Sequence, residues 1–196
     1  LRGSEIAIKN KVSNAGDDGI SVSGSARVEG NKVSNSGDDG IQSTGSNGVF
    51  TANKVSGAGS DGIQTTGMNN TFTSNKVSRA GDDCFEATSG AHTFISNKAS
   101  GCEEGFQIDG NGSVLELNKV GNILDNCFDV QSSNNTLTSN KASGCNDGFE
   151  VTGTGNVFTT NSSKAADDDL RDFNDEGANT YTGNKFAKKV FGPLVP

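Results

Sequence analysis

An asparagine returns every 21 to 23 residues along this chain, at Asn10, Asn31, Asn53, Asn75, Asn97, Asn118, Asn140, Asn161 and Asn184. Nine copies at so constant a period leave few folds open. Hydrophobic residues are only 31% of the 196, and 27 are glycine, a composition that without a period would suggest disorder. With one, it describes repeats that each bury a small apolar face on the next.

Three apolar columns accompany the asparagines. Two residues after each Asn stands a small one: Val12, Val33, Val55, Val77, Ala99, Val120, Ala142. A second runs Ile20, Ile41, Ile63, Phe85, Phe106, Phe128, Phe149. The third, three residues before each Asn, runs Val28, Phe50, Phe72, Phe94, Leu115, Leu137, Phe158, Tyr181. Short pieces such as Thr71-Phe72-Thr73 alternate with period two, so each column predicts one short strand per turn. The fold expected is all-β: a single-domain solenoid of parallel strands over residues 1–196, eight to nine rungs of about 22 residues, three strands per rung. The Asn column is expected inside, as a ladder that satisfies backbone groups left unpaired at a sharp corner, with Asn tolerating the left-handed backbone there. After Asn161 the pattern loosens through Asp167-Asp168-Asp169 and Arg171–Gly177, so 165–196, including the tail Phe186, Val190, Phe191, Leu194 and Val195, reads as an atypical last rung and C-terminal cap. No comparable cap is visible at the N-terminus, and Leu1-Arg2-Gly3-Ser4 reads as a remnant of processing, so a longer natural chain is expected.

The repeating unit, Asn-Lys-Val-Ser-x-x-Gly-Asp-Asp-Gly-Ile followed by Gly and Phe-Thr-x-Asn, resembles the right-handed parallel β-helix superfamily, the pectin-lyase-like fold, over residues 5–186. That resemblance implies right-handed coiling and a polysaccharide partner. Locally, Gly81-Asp82-Asp83-Cys84 is similar to the Gly-Asp-Asp-Cys signature of the polygalacturonase family, with Asp61 one rung earlier and Ser89-Gly90 after the strand. The resemblance implies Asp82 or Asp83 as general acid, with Asp61 and the other Asp activating water. Glu103-Glu104-Gly105 stands where that family has Gly-His-Gly, and 121–135 contains no Arg or Lys to supply its Arg-x-Lys. Gly-Asp-Asp also recurs at 16–18 and 37–39, as part of the repeat.

Charge is columnar too. An acidic column runs Asp17/Asp18, Asp38/Asp39, Asp61, Asp82/Asp83, Glu103/Glu104, Asp125, Asp147, Asp167/Asp168. Turn chemistry explains it economically: Asp caps the corner's amides and the following Gly takes an unusual φ. Clustered carboxylates also suit acid–base work on a sugar or a Ca²⁺ ion. A lysine column follows the asparagines: Lys11, Lys32, Lys54, Lys76, Lys98, Lys119, Lys141, Lys185. It reads as a solvated face that discourages aggregation, balanced by Glu29 and Glu116, or as a stripe for an acidic polysaccharide. Outward threonines (Thr51, Thr71, Thr73, Thr93, Thr136, Thr138, Thr159, Thr180, Thr182) suggest ice binding, with Arg27, Glu29, Ile95 and Glu116 interrupting.

The cysteines form two pairs 43 residues apart, Cys84 with Cys127 and Cys102 with Cys145. Partners in a column would stand two rungs apart, roughly 9.6 Å, beyond disulfide reach, so four free, half-buried thiols are expected. No CxxC is present and His92 is the lone histidine, which argues against a metal site of zinc type. A net charge of −8 argues against nucleic acid, and no apolar run reaches about 18 residues, so no membrane span is expected.

The function expected is that of a secreted or cell-envelope protein, a monomer, that binds or processes an extended polysaccharide, acidic ones included. A noncatalytic adhesive solenoid and an ice-binding protein are the alternatives. As an enzyme it would be a glycoside hydrolase or polysaccharide lyase. Asp61, Asp82, Asp83 and Glu104 are the candidate catalytic residues, and Lys76, Lys98 and Arg79 the candidate substrate-binding ones. No cofactor is required, though Ca²⁺ suits the acidic column.

Overall fold

A computed structural model describes residues 5–192. Leu1-Arg2-Gly3-Ser4 and the tail residues Leu194 and Val195 lie outside the described residues. Within them the chain forms 26 short strands and no helix. These stack into three sheets of nine, eight and nine strands, and every strand pair is parallel. Sheet A carries pieces such as Thr71–Thr73, sheet B pieces such as Lys76–Ser78, and sheet C pieces such as Phe85–Ala87. Strands follow one another A, B, C around each rung, as the three columns require.

The expected columns are the interior. Phe50, Phe72, Phe94, Leu115, Leu137 and Phe158 are fully buried from sheet A, and Phe85, Phe106, Phe128 and Phe149 from sheet C. Parallel register places each ring over the one below: Phe85 on Phe106 at 4.5 Å, Phe128 on Phe149 at 4.7 Å, Phe50 on Phe72 at 4.7 Å. Rings from the two sheets meet edge to face, as Phe94 meets Phe106 at 5.5 Å. Each buried ring contributes about 2–3 kcal/mol of apolar transfer. The last rung closes over this stack: Tyr181 lies on Phe158 at 4.9 Å and Phe186 against Phe149 at 5.2 Å.

At the A-to-B corner the asparagine side chains are hydrogen-bonded from rung to rung. The Asn75 N–H donates to Asn97 Oδ1 (2.8 Å), as does Asn75 Nδ2 (3.1 Å), which also donates to Phe50 O (2.8 Å). The same pattern links Asn10 through to Asn184. The left-handed residue of this corner is not the Asn. It is the one before it, from Lys9 to Gly183, at φ 54–64°. The Asn is needed for its side chain and not for backbone tolerance.

A second buried row, which sequence reasoning missed, runs along the corner between sheets C and A. Gly48 N donates to Asn70 Oδ1, Asn70 N to His92 Nδ1 (3.1 Å), His92 N to Ser113 Oγ, and Ser113 N to Asn135 Oδ1. Asn156 and Asn179 continue it. The signal was available: Asn70, Asn135, Asn156 and Asn179 each stand five residues before a ladder Asn. His92 therefore does the work of an Asn. It is fully buried, and burial pushes its pKa down to about 4, so its neutral ring accepts at Nδ1 near neutral pH.

The glycine after each corner Asp is not there for an unusual φ. Gly19, Gly40, Gly62, Gly105 and Gly148 are absent from the positive-φ residues. They are there for space. A Cβ on Gly62 would lie 2.0 Å from Val77 Cγ1 of the next rung, and Gly19, Gly40 and Gly105 meet Val33, Val55 and Val120 in the same way. Gly62→Ala is expected to cost about 2 kcal/mol through overpacking. In that background Val77→Ala should recover part of the loss, although alone it destabilises; chemical denaturation of the four proteins gives the coupling.

That column explains the cysteines, and here the expectation of free thiols fails. Cys84 and Cys127 occupy the glycine position, and each is bonded to a cysteine in the neighbouring column one rung on: Cys84–Cys102 and Cys127–Cys145, Cα–Cα 5.6 and 5.7 Å. Same-column partners indeed do not bridge. The pairing runs between columns, where one rung of rise keeps the Cα atoms within reach. Where the glycine becomes Cys, the valine of the following rung becomes Ala99 or Ala142, which makes room for the sulfur.

Outward side chains give each sheet its own face. Sheet A presents two registered threonine-rich columns. Arg27 and Glu29 pair with each other at one end, and Glu116 places a charge at mid-length. Sheet B presents lysine and serine. Sheet C and the turn before it present acids and amides.

Candidate functional site

The turn from sheet B to sheet C carries two acidic columns. The outer one (Asp17, Asp38, Asp82, Glu103, Asp125) is exposed. The inner one (Asp39, Asp61, Asp83, Asp147) is buried and caps the next rung, as turn chemistry requires. Asp39 Oδ1 accepts from Asp61 N at 3.0 Å, Asp61 Oδ1 from Asp83 N at 2.9 Å, and Asp147 Oδ1 from Asp168 N at 3.0 Å.

Three residues further on, the outward position of sheet C faces that inner column. In two rungs it is a glutamine that donates back: Gln42 Nε2 to Asp39 Oδ2 (3.4 Å) and Gln64 Nε2 to Asp61 Oδ2 (3.1 Å). In the next rung it is Glu86. The donor that relieves each earlier aspartate is thus replaced, beside Asp83, by another acid. Gln107 returns the amide in the rung after Glu86, and Asp129 and Glu150 follow it in the same outward row. At Glu150 a cation compensates: Arg171 of the next rung reaches Asp147 at 3.6 Å and stacks 4.9 Å over Phe173. Asp61, Asp83, Glu86 and Glu104 have no such partner among the described ion pairs.

Burial and mutual repulsion leave this patch short of charge. Desolvation is the largest cause throughout, because it penalises the ionised form. It pushes Asp61 up to about 7, with Glu86 adding to the effect, and Asp83 up to about 8, with Asp61, Asp82 and Glu86 adding. Glu104 rises to about 9 under burial, Asp129 and Asp83. Asp129 rises to about 6 and Glu150 to about 7. Buried oxygens without a donor concentrate here as well: Glu86 Oε2, Glu104 Oε2, Asp109 Oδ1, Asn126 Oδ1 and Asp129 Oδ1.

The candidate catalytic residues therefore fall together. Asp61, Asp82 and Asp83 present carboxylate oxygens within 4.8 Å of one another, which is also a spacing at which a hard cation is held, and Glu104 is one rung beyond. Glu86, Asp109 and Asp129 join them. Their signal in the sequence is that each departs from the repeat, and Glu150 lies in the same row as Glu86 and Asp129. Lys76, Lys98 and Arg79 are elsewhere. The two lysines are register partners on sheet B, and Arg79 opens the turn to sheet C but directs its side chain back to the sheet B face, donating to Ser56 Oγ at 2.7 Å.

A family model described as the right handed beta helix region matches residues 1–129. The crystal structure of an alginate lyase from Paenibacillus sp. str. FPU-7 superposes with a TM-score of 0.73 at 13% identity, over 97% of this chain and 87% of that one. A mutant of the periplasmic alginate epimerase AlgG gives 0.70 at 12% identity, and this chain spans 61% of its length. No curated protein matches in sequence. At such identities the two structures speak for the fold, and the family match, over well more than half of the sequence, says the rest: the chain belongs to the right-handed β-helix family.

Proposed function

We propose that the protein hydrolyses an extended polysaccharide laid along sheet C, with the scissile bond over the rungs of Asp61, Asp83 and Glu104. The observation that carries this is Glu86, which stands between Gln64 and Gln107 in a row of amides and crowds a further acid against Asp61 and Asp83. Two neighbours of the same fold, an alginate lyase and an alginate epimerase, act on a polysaccharide and support the substrate class. Two disulfides support an oxidising compartment, hence secretion or the cell envelope.

Glu104, protonated at neutral pH, donates to the glycosidic oxygen. Asp61 takes the proton of the attacking water. The two stand two rungs apart, roughly 9.6 Å, close to the separation at which a water fits between acid and base and the anomeric centre inverts. Beyond burial, repulsion from Asp83 raises the Glu104 pKa further, and Glu86 does the same for Asp61. Asp82, at the exposed rim, meets the sugar. Were Ca²⁺ resident, Asp61, Asp82 and Asp83 would hold it and it would neutralise a substrate carboxylate, which serves elimination rather than hydrolysis.

The test is a reducing-end assay on a panel of polysaccharides. Activity should follow a bell: the base is ionised only above about pH 7, and the acid is protonated only below about pH 9. Glu104→Gln and Asp61→Asn should each lower the rate about 10³-fold. No product from any polysaccharide, or variants equal to wild type, would sink the proposal. Unsaturated products would replace hydrolysis by elimination.

A further inference from the structure

Sheet B gathers seven of the 16 lysines and arginines of an acidic protein into one row. Lys11, Lys32, Lys54, Lys76, Lys98, Lys119 and Lys141 are all exposed and face one another in strict register, one per rung of ~4.8 Å. None takes part in an ion pair among the described residues. Glu29 pairs with Arg27 on sheet A, and Glu116 is also outward there, so the counter-charge expected from these two is not supplied. Protection against edge-to-edge association does not account for the row either, because a solenoid's free strand edges lie at its ends and this row runs through its middle. Like charges directly opposite one another destabilise a sheet, so folding alone gives no reason for seven of them.

Three further features converge on this face. Outward serines (Ser34, Ser56, Ser78, Ser100) run beside the lysines as a column of hydroxyls. The surface is hollowed between the two columns, with a depression of ≈ 430 Å³ spanning Lys32, Lys54 and Lys76 and another of ≈ 310 Å³ spanning Lys76, Lys98 and Lys119. Arg79 adds a guanidinium to the rim of the first. It sits at φ 59°, in a left-handed position that the other rungs fill with Asn or Gly: Asn14, Asn35, Gly57, Gly101, Asn122 and Gly144. An arginine there is strained by about 1 kcal/mol. It reaches back one rung to Ser56 on the lysine face.

We propose that sheet B is a second glycan-binding surface, a rail on which a linear polyuronate lies along the solenoid axis with its carboxylates on successive lysines. A 1,4-linked uronan carries one carboxylate per sugar, and each sugar advances the chain by close to one rung, so a fixed row of single cations matches it. Nucleic acid fits less well, because the face has no aromatic platform for bases and is bordered by exposed Asp38, Asp82 and Glu103. The rail shares the 79–84 turn with the acidic site, so a chain held there is delivered to its rim. Binding at the rail does not depend on the hydrolysis proposed above.

The experiment is affinity electrophoresis of the whole protein in gels containing alginate, polygalacturonate, heparin, dextran or poly(dT). Both polyuronates should bind, more weakly as salt rises, and dextran should not. Lys54→Gln/Lys76→Gln/Lys98→Gln should weaken polyuronate binding about 30-fold. Its melting temperature should be unchanged or higher, since repulsion is removed, which excludes misfolding as the cause. Arg79→Gly should weaken binding less, and Glu104→Gln not at all. Unchanged affinity in the triple variant overturns the rail. So does preference for heparin, which would mean sulfate recognition, or equal binding of poly(dT). Loss of binding in Glu104→Gln with the triple variant intact would place the glycan on sheet C and overturn the rail, leaving the proposed function standing. Binding without any product would do the reverse.

Discussion

Cutting both disulfides is expected to cost the protein about 6 kcal/mol of folding stability. Each bond closes a loop with a sequence separation of 18. Constraint of the unfolded chain over such a loop contributes about 3 kcal/mol, and the two loops do not overlap. The loss should be local before it is global, because a solenoid's stability is a sum over neighbouring rungs and each bond ties one rung to the next. Cys84→Ala/Cys102→Ala, Cys127→Ala/Cys145→Ala and the quadruple variant, followed in urea, separate the contributions. Protection from amide exchange should fall first in rungs 84–145, while the rungs around Asn31 and Asn53 hold. A quadruple variant as stable as the parent would mean that the packing of Ala99 and Ala142 beneath the sulfurs, and not the covalent link, supports these rungs.

Asn97→Ala should cost about 4 kcal/mol. The side chain is fully buried. Its Oδ1 accepts from Asn75 N and Nδ2, and its Nδ2 donates to Phe72 O and Asn118 Oδ1. Alanine leaves the Asn75 donors and the Phe72 carbonyl in a dry interior, each unpaired group costing about 1–3 kcal/mol, and no water reaches them. Asn184, only half-buried in the last linked rung, offers the comparison. There water can replace the lost partners, and Asn184→Ala should cost about 1 kcal/mol. Equal losses at the two positions would show that the asparagines act through backbone preference rather than through their linked side chains.

Much of the architecture was legible because a parallel solenoid turns sequence arithmetic into geometry. With 21 to 23 residues per rung, Phe85, Phe106, Phe128 and Phe149 had to share a column, and they stack ring on ring. Period alone also separated inward Val77 from outward Lys76 and Ser78. The second row through His92 was legible in the same terms, yet Ser113 and His92 interrupt its asparagines and hid it. The disulfides were not. Arithmetic compares residues within a column, whereas Cys84 reaches Cys102 because its Cβ points across to the neighbouring column of the next rung. The drop from Val to Ala at 99 and 142 was the trace left in the sequence.

For the candidate site the division is sharper. Sequence by itself determined which acids share the corner and which residues depart from the repeat, because both are matters of register. Only the tertiary structure decided that Asp83 is turned in and Asp82 out, that Glu86 meets Asp83 where Gln64 had relieved Asp61, and that Lys76, Lys98 and Arg79 belong to a different face. The reason is physical. A column's membership follows from counting residues, but a carboxyl's charge follows from how much water and which neighbours surround it, and those are set by all three sheets at once.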